Sequence, residues 1–367
     1  MSFSRIVGQD RAVGRLRAAI RGGRLAHAYL LTGPAGVGKR SLARELAKAV
    51  LCERAGGQGA DSCDGCRECR AVDEGGHPDC GTLMVEEGGG GGGPAAGAFP
   101  SGQAGSGGRF RPVEDSDREI KIASIRELTR RLSLRSSSGR TRVFLIPGAE
   151  RMNEEAANAL LKTLEEPVGS RLLVLTTSRP EALLPTVLSR VARVRLRSLS
   201  PEEVEAHLAS VKKLPRDEAR ELAAASGGSI GAALAASVAG VRAARRFAAE
   251  RLSAAPGRPL ELSEAMMGYA REAADAAGGK GKTLEPVRRE LLALWRQALG
   301  IHRAALGAAL GAGPADSADA RLAALGPERL ERAMAALLRA DRALRDYASP
   351  ELVCRVLAGE LAAALGG

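Results

Sequence analysis

Gly33-Pro34-Ala35-Gly36-Val37-Gly38-Lys39-Arg40 lies between two stretches of different periodicity. Before it, Ala28-Tyr29-Leu30-Leu31 reads as a buried strand. After it, Ser41-Leu42-Ala43-Arg44-Glu45-Leu46-Ala47-Lys48-Ala49-Val50 places apolar residues three and four apart, the signature of a helix. A strand, a glycine-rich turn, Gly-Lys and a helix make a phosphate-binding loop. Glycines let backbone N–H groups converge on phosphate, lysine adds a point charge, and the helix N-terminus adds its dipole. The candidate nucleotide-binding residues are Gly33, Gly36, Gly38, Lys39, Arg40 and Ser41, with ATP or ADP as candidate occupant. Position 40 breaks the pattern. A Ser or Thr hydroxyl should hold Mg²⁺ there, and a guanidinium cannot ligate a cation. Ser41 offers a hydroxyl one position late. The sequence leaves both a bound nucleotide and an empty or anion-filled loop open.

A second departure lies downstream. Arg142-Val143-Phe144-Leu145-Ile146 reads as a strand of the buried parallel type. In a P-loop ATPase such a strand ends in acids, one for Mg²⁺ and one to activate the attacking water. Here Pro147 and Gly148 follow it, and Glu150, two residues on, reads as solvent-facing. Residues 153–166 form a strong helical pattern closed by Pro167. Leu172-Leu173-Val174-Leu175-Thr176-Thr177 and 191–196 read as further strands, with a turn and short helix between them. Three to four strands alternating with helices imply an α/β domain built on a parallel sheet. Residues 6–24 read as a lead-in and an amphipathic helix, and 120–134 as another helix.

Between the loop's helix and that second helix lie two irregular stretches. Cys52 and the run Cys63-Asp64-Gly65-Cys66-Arg67-Glu68-Cys69 supply four closely spaced thiols, a set that suits a structural Zn²⁺. Free structural cysteines are usually buried among apolar residues, whereas these sit among Asp, Gly, Arg and Glu. An iron–sulfur cluster also takes four cysteines but at other spacings. Cys80 and Cys354 stand alone, and His77 reads as a loop histidine near the cluster. Residues 87–109 hold an unbroken glycine run and read as a flexible surface insertion between two strands.

From Ser200-Pro201-Glu202-Glu203, a helix-start signal, the pattern is helical to the end. It breaks at 226–229, loosens over 254–282 and is punctuated at 311–318. The Leu/Ala periodicity of the last part is that of a helix bundle. The expected domains are a P-loop α/β domain at 1–198 with the cysteine module at 52–69, a helical lid at 199–245 and an all-α domain at 246–367.

The chain has 367 residues, a net charge of +11, six cysteines and 2% aromatic residues. The charge suits a polyanion, but so few aromatics disfavour base-stacking platforms. No apolar run reaches the ~20 residues of a membrane span. Without an apolar signal at the start, the expected location is the cytoplasm.

Several of these stretches resemble the clamp-loader branch of the AAA+ ATPases, and within it the delta-prime family of bacterial DNA polymerase III. They are Ile6-Val7-Gly8-Gln9, His27-Ala28-Tyr29-Leu30-Leu31-Thr32-Gly33-Pro34, the cysteines after the loop's helix, Asn158-Ala159-Leu160-Leu161-Lys162-Thr163-Leu164-Glu165-Glu166-Pro167, and Leu188-Ser189-Arg190. The likeness runs to about residue 235 and then thins to the helical character and Ser349-Pro350-Glu351-Leu352. It implies an AAA+ domain, a lid and an oligomerising helical collar. It also implies gamma/tau-type ATPases, a delta subunit, the sliding clamp and primer-template DNA as partners, within a holoenzyme that is a nucleotidyltransferase. ATP-hydrolysing gamma/tau relatives carry Thr after the loop lysine, Asp-Glu after the strand and a lid arginine. Here those places hold Arg40, Pro147-Gly148 and Gly231. The resemblance therefore implies no hydrolysis by this chain, with Arg190 acting as an arginine finger in a neighbour's site. The alternatives are a gamma/tau-like or other AAA+ ATPase that hydrolyses ATP itself, and a DNA-binding zinc protein on a vestigial fold.

Overall fold

The computed structural model describes residues 2–54, 60–87, 109–112, 119–134, 136, 141–166, 169–253, 258–276, 284–311, 321–346 and 348–366. The glycine-rich run at 88–108, Arg135, the turn at 137–139 and Pro167 lie outside them. The chain divides into two compact units, Met1–Glu203 with Gly228–Gly231, and Val204–Gly227 with Ala232–Gly367.

The first unit is built on five parallel strands: β1 (Ala28–Thr32), β2 (Cys80–Thr82), β5 (Arg142–Ile146), β6 (Arg171–Thr177) and β7 (Ala192–Arg195). Their order is β2-β5-β6-β1-β7. Alternate residues serve opposite faces. Ala28, Leu30, Phe144, Ile146, Leu173 and Leu175 join one core, shared with α4 (Ile122–Ser133) and α5 (Glu154–Glu165). Tyr29, Leu31, Val143, Leu145, Leu172 and Val174 join the other, shared with α1 (Asp10–Arg21) and α2 (Lys39–Leu51). Helices on both faces leave β1, β5 and β6 no wet side, which is why these three read as unbroken apolar runs. The fifth strand, β2, escaped the sequence reading because Cys80-Gly81-Thr82 carries no such run. It places Cys80 on the sheet edge, where burial pushes its thiol up to about 12. Two further strands, β3 (Met84–Glu87) and β4 (Arg109–Pro112), pair antiparallel with Glu87 opposite Arg109, so the glycine-rich run joins the two arms of a hairpin.

Both helix starts read in the sequence, at 153 and 200, are capped. The Asn153 side chain accepts from Ala156 N–H at 2.9 Å and caps α5. At the start of α7 (Pro201–Lys212), Ser200 Oγ accepts from Glu203 N–H and Glu203 Oε2 accepts from Ser200 N–H. That reciprocal pair is a capping box. Gln9 is buried and bonds both backbone groups of Arg197, donating to its carbonyl at 2.8 Å and accepting its N–H at 3.1 Å. It thereby ties the lead-in to the chain leaving β7.

The second unit is all helical: α8 (Arg216–Ala225), α9 (Ile230–Ala235, from Ala232 on), α10 (Val238–Phe247), α11 (Pro259–Ala276), α12 (Glu285–Ala309), α13 (Pro327–Arg345) and α14 (Pro350–Leu365). Trp295 is wholly buried in its core. The stretch at 254–282, read as loose, contains the 18-residue α11. Leu262, Met266, Met267, Ala270 and Ala274 give it an apolar face that its Ala and Gly content obscures. No helix among the described residues is long and apolar enough to cross a membrane.

His302 on α12 is fully buried, with Nδ1 2.8 Å from Ala298 O and Nε2 without a partner. Burial pushes its imidazole below the usual range, against the opposing pull of that carbonyl. Between pH 6.5 and the depressed folded value, the unfolded chain takes up a proton that the folded chain refuses. Stability from this group is therefore complete above pH 6.5 and drains away below it. We expect the denaturation midpoint to fall from pH 7 to pH 5, and His302→Gln to flatten that fall. His207, which burial also pushes down, would contribute to the slope that remains.

Candidate functional site

The phosphate loop connects β1 to α2, with Gly33, Gly36 and Gly38 at φ of 149°, 73° and 99°. Lys39 begins α2 and is buried. Its ammonium donates to Gly33 O at 2.8 Å and Pro34 O at 2.7 Å, so the lysine is folded back onto the loop's own carbonyls. Arg40 and Ser41 are exposed on the first turn of α2. A second segment seats on the loop. Gly231 N–H donates to Gly36 O at 3.0 Å. A Cβ on Gly231 would stand 3.0 Å from Gly36 Cα, and one on Gly36 would collide with Ser229 Oγ. Gly231 was read in the sequence as a missing arginine. It has a positive reason to be glycine, because two backbones meet there.

At the end of β5, Pro147 and Gly148 are buried, and Gly148 N–H points to Thr176 Oγ1 at 3.4 Å. No carboxylate stands at either position. Glu150, read in the sequence as solvent-facing, is half-buried. Its Oε1 accepts from Ser178 N–H at 3.2 Å and Ser178 Oγ at 2.8 Å, and Oε2 is buried without a partner. The carboxylate pins the chain leaving β6, with one oxygen buried and its bonds to Ser178 at the surface.

Arg190 follows α6 (Pro185–Leu188) on the surface. Its Nη1 donates to Thr186 O at 3.0 Å and Ser189 Oγ at 3.2 Å, and its Nη2 lies 2.7 Å from Glu165 Oε1.

The four cysteines converge. The sulfurs of Cys52, Cys63, Cys66 and Cys69 all lie within 4.8 Å of one another, the one such cluster among the described residues. Cys52 and Cys66 stand 3.9 Å apart, close to the ~3.8 Å edge of a tetrahedron with Zn–S bonds of about 2.3 Å. Backbone N–H groups of Cys63, Cys66 and Cys69 point at the sulfurs of Cys52, Cys63 and Cys66 at 3.3–3.4 Å. Such N–H···S bonds orient thiolate ligands. Backbone N–H of Gly65 pulls the Cys63 thiol down to about 6, while burial pushes Cys52 and Cys69 up. Four thiols with so little room cannot all ionise without a cation among them, and the donor set fits a divalent metal.

Lys48, which sequence reasoning missed, and His77, which it read only as a loop histidine, fix this module. Lys48 of α2 is wholly buried, with its ammonium 2.7 Å from Asp64, 2.9 Å from Asp73 on α3 (Arg67–Asp73) and 3.4 Å from Glu45. Burial alone would raise the Asp64 carboxyl, but bonds from Lys48 and Ser62 hold it at about 2. The sole prior signal was a lysine on the apolar side of an amphipathic helix. His77 is buried, with Nδ1 accepting from Asp79 N–H at 2.9 Å. Its Nε2 is 2.6 Å from Glu68 Oε2 but off the line of a hydrogen bond. It braces α3 from the turn before β2. On α4, Arg130 and Arg131 both pair with Glu127, at 2.7 and 2.8 Å.

A family model described as DNA polymerase III, delta subunit, matches residues 8–200, more than half of the chain. The chain belongs to that family. The matched span covers the sheet, the phosphate loop, the cysteine module and Arg190. Among curated proteins, the delta-prime subunit of DNA polymerase III from Pseudomonas aeruginosa is 38% identical over 165 residues, 45% of this chain and 41% of that protein. The delta-prime subunit of Bacillus subtilis is 31% identical over 200 residues, 54% of this chain and 51% of that one. The tau/gamma subunit of Haemophilus influenzae is 30% identical over 210 residues, 57% of this chain and 26% of that one. The aligned part thus spans from a quarter to about half of these relatives.

Proposed function

We propose that this chain is a delta-prime-type subunit of a DNA polymerase III clamp loader, one that hydrolyses no ATP and lends Arg190 to a neighbour. The observation that carries the reading is the self-satisfied phosphate loop. Lys39 is spent on Gly33 and Pro34 carbonyls, and Gly231 rests on Gly36. Phosphoryl transfer depends on charge neutralisation and positioning. Without a hydroxyl directly after the lysine, acids after β5 or a lid cation, the described residues offer no group at the usual places to hold Mg²⁺ or prime water. Arg190, by contrast, lies at the surface, where a second subunit could reach it. On this reading the chain acts in the cytoplasm as three domains, at 1–198, 199–245 and 246–367. Gamma/tau-type ATPases, a delta subunit, the sliding clamp and primer-template DNA are its partners.

Purified chain should show ATP turnover at background, unchanged by Lys39→Ala. Turnover that Lys39→Ala abolishes would return it to the ATPases.

Cys52, Cys63, Cys66 and Cys69 would hold one Zn²⁺, which supplies folding energy to the loop that carries them. Metal analysis should find one zinc per chain, lost in Cys66→Ser, while partner assembly persists. Metal-free protein with the module still ordered by hydrogen exchange would overturn the zinc assignment.

A further inference from the structure

The guanidinium of Arg190 is engaged within its own chain through both terminal nitrogens. Nη2 takes Glu165, and Nη1 takes Thr186 O and Ser189 Oγ. An arginine reads phosphate through that same pair of nitrogens, as a two-pronged fork. Glu165 is the last residue of α5. A carboxylate there opposes the helix dipole, whose negative end favours cations, so the helix itself gains nothing from it. Both side chains are on the surface, 36% and 48% exposed, within reach of an incoming group.

We propose that Glu165 is a latch for Arg190. It holds the guanidinium against the subunit's own surface and gives it up when the phosphate of a neighbour's nucleotide competes. This rests on the finger reading above. The exchange is favourable because a nucleotide phosphate carries more negative charge and more acceptor oxygens than one carboxylate. In the unengaged state the latch also cancels the arginine's charge, so that surface offers less attraction to stray anions. Glu165 acts through Arg190 and touches no reacting atom, so it is a positioning residue.

The latch taxes engagement, not the chemistry after engagement. In the complex reconstituted with gamma/tau-type and delta subunits, Glu165→Gln keeps the shape of the side chain and removes its charge. It should lower the KM for ATP about two- to fivefold, the range expected of an exposed ion pair, and leave kcat unchanged. It should not lower the thermal midpoint of the free chain. In an Arg190→Ala background the same substitution should do nothing. An unchanged KM with kcat still sensitive to Arg190→Ala would overturn the latch and keep the finger. A lower kcat in Glu165→Gln would instead make Glu165 a support needed during catalysis, which also overturns the latch. Insensitivity to Arg190→Ala would remove the finger itself.

Discussion

Arg190→Ala should slow ATP hydrolysis at the neighbouring site by about a thousandfold or more while leaving the subunit folded and assembled. The magnitude is that of a trans arginine acting on the charge that develops during phosphoryl transfer. The fold should be indifferent, because the side chain's bonds are all local and at the surface, where such pairs are worth at most about 1 kcal/mol. Arg190→Lys should recover little, since an ammonium lacks the planar fork. Other sites in the complex keep turning over, so the loss must be read site by site, by single-turnover hydrolysis with one competent ATPase subunit at a time. Wild-type rates at every site would sink the assignment.

Lys48→Ala should cost the α/β unit about 3 kcal/mol, the lower end of what breaking a buried charge pair costs. Lys48 is wholly buried, and Glu45 beside it nearly so. Asp64 and Asp73 keep some access to water, which limits the loss. Burial already pushes the Glu45 carboxyl up, against the pull of Lys48, and without the ammonium it would move further in that direction. Burial likewise disfavours the charged lysine, but its bonds to Asp64 and Asp73 win and hold its ammonium charged. Amide exchange in α2 should accelerate about a hundredfold, since exchange reports the local opening free energy. Lys48→Met restores most of the volume but no charge, so it should remain nearly as costly. Little change in either variant would mean that the three acids find water without the lysine.

The helix α11, in a stretch read as loose, shows how composition misleads where packing rules. Gly and Ala lower the apparent periodicity, yet two methionines and a leucine at helical spacing are enough when a neighbouring core accepts them. Glu150 shows what a local reading leaves out. A charged residue after a strand reads as solvent-facing until Ser178, 28 positions later, supplies two donors.

The sequence by itself determined the α/β class with its parallel sheet, the phosphate loop, the helix starts at Asn153 and Ser200, and the four cysteines as one set. Each rests on local chemistry: strand and helix periods, glycines at positive φ, caps three residues from their partners, and thiol spacing. Tertiary structure alone decided what lies across the chain. It brought Gly231 onto Gly36, Lys48 between Asp64 and Asp73, Gln9 onto Arg197, and Glu165 beside Arg190. These pairs are separated by up to 195 residues, the distance along the chain from Gly36 to Gly231, and no periodicity encodes them. They exist because a covered parallel sheet fixes where its loops emerge, and the loops then satisfy one another's charges and backbone groups.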